Sequence, residues 1–208
     1  MKALLFLALF IFSSPSFALS IDQLTDSEVE KLDQGLEKFQ NKQYDLAMEE
    51  LKPIAERGYP SAQIYVGWMH LFGLGIHENV CQGVDWIDRA ARQGFVNAQL
   101  MMSALLSDVS WGHRPDYQRS YGWLLTAVQN GATDIKKDVY VPLTSIPDLF
   151  KLLEGNMSNA EMQKVKQEVA DGRFDISTPA SKYIVRISEY HVGDYVIPIS
   201  TCKRLYPD

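Results

Sequence analysis

Cysteine is scarce in this chain, which has two among its 208 residues, Cys81 and Cys202. They form no Cys-x-x-Cys motif, and neither stands in a Cys/His cluster with the ligand spacing of a zinc site. The sequence therefore gives no indication of a zinc-binding fold.

Basic residues are also too few to suggest a polyanionic ligand. The chain has 20 Lys and Arg residues against 26 Asp and Glu residues, a formal net charge of −6, and no basic cluster. Proteins that bind nucleic acid or anionic lipid depend on concentrated positive charge. We therefore expect no nucleic-acid partner, and the acidic charge suits a protein partner with a basic patch.

The common catalytic fingerprints are missing as well. There is no Gly-x-Ser-x-Gly, P-loop or dinucleotide motif. His70 and His77 bracket a glycine loop, with Glu78 beside His77, which leaves a metal or acid–base pair as one hypothesis. No second carboxylate joins them, and Cys81 is a candidate nucleophile only if it is unbridged. We therefore predict no catalytic residue, no cofactor and no metal site.

Long apolar runs are confined to the start of the chain. Lys2 is followed by an unbroken apolar run over 3–12 and by a short segment ending in Ser16-Phe17-Ala18, a small-x-small cleavage pattern. This is the pattern of a secretory signal peptide over 1–18, and the run is too short to span a bilayer as a helix. We expect a mature chain from Leu19, located in the periplasm or secreted, with no membrane insertion after cleavage.

Export also bears on the two cysteines. In an oxidising compartment a pair of cysteines favours a disulfide over free thiols. A Cys81–Cys202 disulfide would tie the C-terminal tail to the rest of the chain and close a long loop. Two unpaired thiols are the alternative.

Three short segments of the chain resemble one another. The stretches 51–58, 87–94 and 124–131 each have a helical pattern ending in glycine, and these glycines stand 36 and then 37 residues apart. Repeats of this length are typical of stacked helix pairs, in which each unit buries its apolar face against its neighbours. We therefore predict a mainly α protein, a short α-solenoid of antiparallel helix pairs. The predicted repeats are 27–58, 59–94 and 95–131, followed by capping helices over 132–172, all within a helical domain over 19–172.

Local signals predict where helices begin. Ser27 with Glu30, and Ser158 with Glu161, match the capping-box pattern in which Ser or Thr precedes Glu by three residues. Pro60 suits the first turn of another helix because its missing N–H is not needed there.

The C-terminal tail, 173–208, differs in kind from the helical part. The runs 183–187 and 195–199 are rich in β-formers and flank Gly193. They predict a small β-hairpin or two extended strands. Pro198 favours an edge position because it lacks a backbone donor.

Helical spacing separates side chains that face the core from those that do not. Leu46 in the second helix and Phe72 in the third are expected to face inward. Trp68 falls on a different face of its helix, and Trp111 lies in a loop. Exposed aromatic side chains are typical binding anchors. The residues predicted to contact a protein partner are Trp68, Trp111, His113 and Tyr121.

The middle unit carries a specific repeat pattern. The chain resembles the Sel-one-like repeat (SLR) family, a relative of the tetratricopeptide repeats whose unit reads Ala, Leu-Gly, an aromatic residue, Gly-x-Gly-Val, Asp, Ala, Trp and Ala-Ala-x-x-Gly. The matching residues are Ala62, Val66-Gly67, Gly73-Leu74-Gly75-Ile76, Trp86, Ala90-Ala91 and Gly94. His70 departs from the family's aromatic residue, Asn79 from its Asp and Gly83 from its Ala.

The neighbouring units match the pattern in part, so that the resemblance covers 30–131. The third unit lacks the glycine loop but keeps Ala98, Asp116, Tyr117, Trp123 and Gly131. The first unit keeps Tyr44, Asp45, Ala47, Ala55 and Gly58.

The resemblance implies a protein–protein interaction function rather than catalysis. Members of the family act in envelope and flagellar-motor assembly, in host–microbe contact, and in periplasmic immunity against antibacterial effectors. We therefore expect a periplasmic adaptor or inhibitor that binds a protein partner through its repeat surface. The alternative is a β-lactam-binding or hydrolysing enzyme, as described for cysteine-rich relatives. Those relatives carry a cysteine pair in each repeat, unlike this chain.

Overall fold

The computed structural model describes residues 24–108, 115–133 and 145–174, together with the backbone of 189–192 and 195–198. The three longer ranges form α1 (Asp26–Gln40), α2 (Tyr44–Glu56), α3 (Pro60–Phe72), α4 (Val80–Arg92), α5 (Val96–Ser107), α6 (Tyr117–Gln129), α7 (Ile146–Gly155) and α8 (Asn159–Ala170). The two short ranges form β1 (Glu189–Val192) and β2 (Tyr195–Pro198).

The helices pack in the order in which they occur in the chain. Helix α1 packs against α2, α3 against α4 and α5 against α6, and each pair also contacts the next through α2–α3 and α4–α5. Helices α7 and α8 both pack against α6. This arrangement confirms the predicted α-solenoid, with the last two helices covering the end of the third pair.

The three glycines that recur in the sequence also share one backbone conformation. Gly58, Gly94 and Gly131 have φ angles of 104°, 86° and 94°. Each donates its N–H to the carbonyl three residues earlier, and the following residue donates to the carbonyl five residues before itself. This double closure is the Schellman motif, whose left-handed residue is glycine because a Cβ would be strained there. Helix α8 ends in the same way at Gly172.

Two buried glutamines repeat with the glycines. Gln63 and Gln99 each donate from Nε2 to the carbonyl oxygen of the alanine eight residues earlier, at 3.1 Å. Each Oε1 accepts from an amide side chain that precedes the next glycine, from Gln93 at 2.8 Å and from Asn130 at 3.0 Å. Each glutamine therefore connects its own unit to the end of the preceding one.

Small residues let the helices of a pair approach closely. A Cβ added to Gly67 in α3 would lie 2.9 Å from the carbonyl oxygen of Gly83 in α4. A Cβ added to Gly83 would lie 2.7 Å from the carbonyl oxygen of Gly67. At the corresponding positions of the third pair, Ser103 Oγ donates to the Ser120 carbonyl at 2.8 Å and Ser120 Oγ donates to the Ser103 carbonyl at 2.6 Å. The serines thus satisfy their buried hydroxyls at the crossing.

The start of the first helix corrects one prediction. The capping box is formed by Thr25 and Glu28, not by Ser27 and Glu30. Glu28 Oε2 accepts from the Thr25 N–H at 2.9 Å and from its hydroxyl at 2.8 Å. Both pairs fit the spacing, so the pattern alone does not distinguish them. The predicted box at the start of α8 is confirmed.

Two inward-facing predictions are also wrong. Leu46 is 39% exposed and Phe72 is 37% exposed. The side of α2 that packs against its neighbours is occupied instead by Ala47, Leu51 and Ile54. Phe72 is the last residue of α3, where the chain leaves the stack.

The two strands of the tail pair antiparallel. Their register runs from Glu189 opposite Pro198 to Val192 opposite Tyr195. The second strand coincides with the predicted run at 195–199, whereas the other predicted run, 183–187, lies outside the described residues. Pro198 stands at the end of its strand, where a missing donor costs least.

Candidate functional site

Trp68 is a core residue, and the expectation that it is exposed is wrong. Its side chain is 7% exposed. The ring centroid lies 5.5 Å from that of Tyr65 and 6.2 Å from that of Phe39 in α1. Helix α3 is contacted by α2, by α4 and by this ring of α1, so it buries several faces rather than one stripe. A buried indole is not available as a surface anchor.

Tyr121 is also buried, and its side chain joins the third helix pair to the covering helices. It is 0% exposed, its ring lies edge-on to Phe150 of α7 at 5.9 Å, and its hydroxyl donates to Glu154 at 3.4 Å. Lys166 of α8 stands 5.9 Å from the ring centroid. Tyr121 therefore packs between α6, α7 and α8, and its expected place on an exposed surface is corrected.

The other predicted contact residues lie outside the described ranges. Trp111 and His113 fall in 109–114, and they stay predictions. Cys202 also lies outside, so the bridge to Cys81 stays a prediction too. Cys81 itself is buried in the first turn of α4.

His70 and His77 line one groove between the first and second helix pairs. The groove has a volume of about 330 Å³. We call it the His70 groove; it is lined by Met48, Lys52, His70, Ile76, His77, Glu78, Asn79 and Gln82. Over the described ranges, no three His, Cys, Asp or Glu side chains come together as a metal site.

His70 is the half-buried member of the pair, whereas His77 is exposed. The Nδ1 atom of His70 is buried and has no hydrogen-bond partner among the described residues. Burial, and after it the charge of Lys52, lowers the pKa of His70 from its ordinary value. The imidazole is therefore neutral at neutral pH.

Exposed carboxylates line one face of α1. They recur at three- or four-residue spacing, which puts them on one side of the helix. They are Asp26, Glu30, Asp33 and Glu37, and we call this surface the acidic face of α1. Within the described residues no ion pair involves any of the four, whereas Glu28 pairs with Arg57. Burial, followed by the charge of Asp33, raises the pKa of Tyr59, so the negative field extends to the start of α3.

The acidic face could have been found from the sequence. Its four residues show the i, i+4, i+7, i+11 spacing of a helical stripe. Net charge alone did not reveal it, because the net value says nothing about where the acidic residues lie.

No described helix is both long and apolar enough to cross a bilayer.

The solved structures that are similar to this chain include two repeat proteins. The protective antigen c5321 of uropathogenic Escherichia coli, which displays an SLR fold, matches with a TM-score of 0.58 and 18% identity over 81% of this chain. The chain has the SLR fold. It spans 35% of the length of the c5321 chain. A Sel1 repeat protein from Oxalobacter formigenes matches with a TM-score of 0.35 and 15% identity, over 69% of this chain and 83% of that one. No family model matches the chain, and no curated protein does.

Close packing explains two glycines of the middle unit. Gly75 has a φ of 70°, and a Cβ there would lie 2.6 Å from the backbone nitrogen of Asp45, so the glycine loop lies against the start of α2. Gly83 departs from the alanine of the repeat pattern because a Cβ would meet both Leu71 and the Gly67 carbonyl below 3 Å. Both glycines therefore serve packing.

Proposed function

We propose that this protein is an exported repeat protein that binds a protein partner through its surface, as an adaptor or an inhibitor. The observation that carries the proposal is the acidic face of α1, where Asp26, Glu30, Asp33 and Glu37 are exposed and outside any described ion pair. A stacked helical scaffold holds such a surface rigidly, which lowers the entropy lost on binding. The aromatic side chains Trp68 and Tyr121 support the scaffold from inside.

The partner proposed for the acidic face of α1 is a protein with a basic patch. Complementary charge increases the rate of association and selects among partners more than it adds affinity. The four carboxylates are solvated, so no buried charge has to be compensated before binding. Binding through them should weaken as ionic strength rises.

Matched charge variants test the proposal. The double variant Glu30→Gln/Asp33→Asn removes two charges from the acidic face, and Glu49→Gln/Glu56→Gln removes two exposed charges from α2. After crosslinking in cells and affinity capture, we expect the first variant to recover its partner about fivefold less than wild type, because the electrostatic attraction is lost. The α2 variant should recover it unchanged.

Thermal unfolding of the same proteins supplies the control for stability. The melting temperatures should stay within about 2 °C of wild type, because exposed charges contribute little to folding. Equal capture by all three proteins would contradict the role of the acidic face. Hydrolysis of nitrocefin by the purified wild-type protein would contradict the non-enzymatic assignment.

A further inference from the structure

The His70 groove joins two repeat units at one loop. Residues 73–79 leave α3 and return to α4, and the Asn79 N–H donates to the His70 carbonyl at 2.8 Å to close the loop. The backbone at Gly75 lies against Tyr44 and Asp45, which begin α2 of the first unit. His70 therefore stands at the base of a loop that contacts the first unit, in addition to the packing of α2 on α3.

The His70 imidazole has no suitable environment for a positive charge. Its Nδ1 is buried, and no group in the described part of the chain forms a hydrogen bond with it. In the neutral ring this atom can be a bare acceptor, whereas in the imidazolium both ring nitrogens are donors. Leaving a buried N–H of a charged imidazolium without an acceptor costs more free energy than leaving a buried, neutral ring nitrogen without a donor. Protonation is thus disfavoured while the groove keeps its packing.

The charge of Lys52 also disfavours protonation of His70. Lys52 reaches the groove from α2, with Glu56 3.9 Å from its Nζ, and among the described lining residues the α4 side contributes the neutral Asn79 and Gln82. The start of α4 adds the partial positive charge of a helix N-terminus. From the loop come the exposed side chains of His77 and Glu78, and the carboxylate of Glu78 is opposite in sign to Lys52.

We propose that His70 is an acid-sensitive latch, whose protonation loosens loop 73–79 from α2 and so weakens the contact between the first and second repeat units. This regulatory step goes beyond partner binding and does not depend on it. The folded-state pKa of His70 is lowered, by burial first and then by Lys52. The unfolded chain therefore binds a proton more readily than the folded one. The stability contributed by neutral His70 is complete above about pH 6.5 and is lost as pH falls through the lowered pKa.

The test compares wild type with His70→Phe and His77→Gln between pH 7.5 and pH 5.5. Phe keeps an aromatic ring in the position but cannot be protonated, and His77→Gln removes the exposed histidine of the same groove. Carboxyl groups with ordinary pKa values stay ionised over this range. On acidification we expect wild type and His77→Gln to lose at least about 2 °C more in melting temperature than His70→Phe.

Hydrogen exchange locates the effect. After correction for intrinsic rates, peptides covering 70–79 and 44–52 should exchange at least about twofold faster at pH 5.5 in wild type but not in His70→Phe. An equal loss of melting temperature in all three proteins would overturn the latch.

A measurement on wild type keeps the proposal testable if His70→Phe does not fold. Titration of the His70 ring signals by NMR should place its pKa below the ordinary histidine value of about 6.5. A His70 pKa at or above that ordinary value would overturn the proposal. None of these three measurements involves a partner, so failure of the latch is distinguishable from failure of the acidic face.

Discussion

At the scale of single residues, the buried glutamines make a direct prediction. Gln63→Leu removes the donor to the Ala55 carbonyl and the acceptor of Gln93, and Gln63 is 4% exposed. A buried carbonyl left without its partner costs about 1–3 kcal/mol. We expect a melting temperature lower by about 2–4 °C for each kcal/mol. Gln34→Leu, at an exposed position of α1, is the control, and an equal effect of the two substitutions would refute the role of Gln63.

Replacing glycine by alanine should change the free energy of unfolding in opposite directions at Gly83 and at Gly155. Gly83→Ala places a Cβ 2.7 Å from the Gly67 carbonyl, which forces α3 and α4 apart, whereas a Cβ at Gly155 meets nothing within 4 Å. Alanine is favoured over glycine in a helix by about 1 kcal/mol. We expect Gly155→Ala to raise the free energy of unfolding by up to about 1 kcal/mol and Gly83→Ala to lower it. Denaturant unfolding measures both, and stabilisation by Gly83→Ala would show that the helices do not cross closely there.

At the scale of elements, the cap of α1 predicts a sensitivity to acid. The Arg57 hydrogen bond, followed by the Thr25 backbone and side-chain hydrogen bonds, lowers the pKa of Glu28 to about 2. Because the unfolded-state pKa is higher, stability from ionised Glu28 is present above about pH 4.5 and is lost as pH falls towards 2. Glu28→Gln should make the melting temperature less dependent on pH in that window. Identical slopes for wild type and the variant would contradict this account.

Helix positions were predictable because their signals are local. Gly58, Gly94 and Gly131 mark the ends of α2, α4 and α6, and Ser158 marks the start of α8. Burial was less predictable because it depends on neighbours that are distant in sequence. Trp68 is covered by Phe39 of another helix, and no periodicity within α3 contains that contact. The acidic face of α1 lies on a single helix, so its position could have been predicted from the spacing of the acidic residues in the sequence.

At the scale of the whole molecule, export and the disulfide are tested together. Purified from the periplasm or the medium, the protein should begin at Leu19, because the signal peptide is removed. It should also yield one nonreduced peptide containing Cys81 and Cys202. Mass spectrometry before and after reduction measures both. An intact Met1 or alkylation of both cysteines without reduction would contradict the respective prediction.

The proposed function requires that the stacked helices present the acidic face of α1 to a protein partner. Site-specific photocrosslinking in cells tests it most directly, with the crosslinker at Asp33 on that face and, as a control, at the exposed Gln163 of α8. We predict one discrete crosslinked protein from position 33, weakened by high salt, and none from position 163. The absence of a product at 33, or the same product from both positions, would contradict the claim.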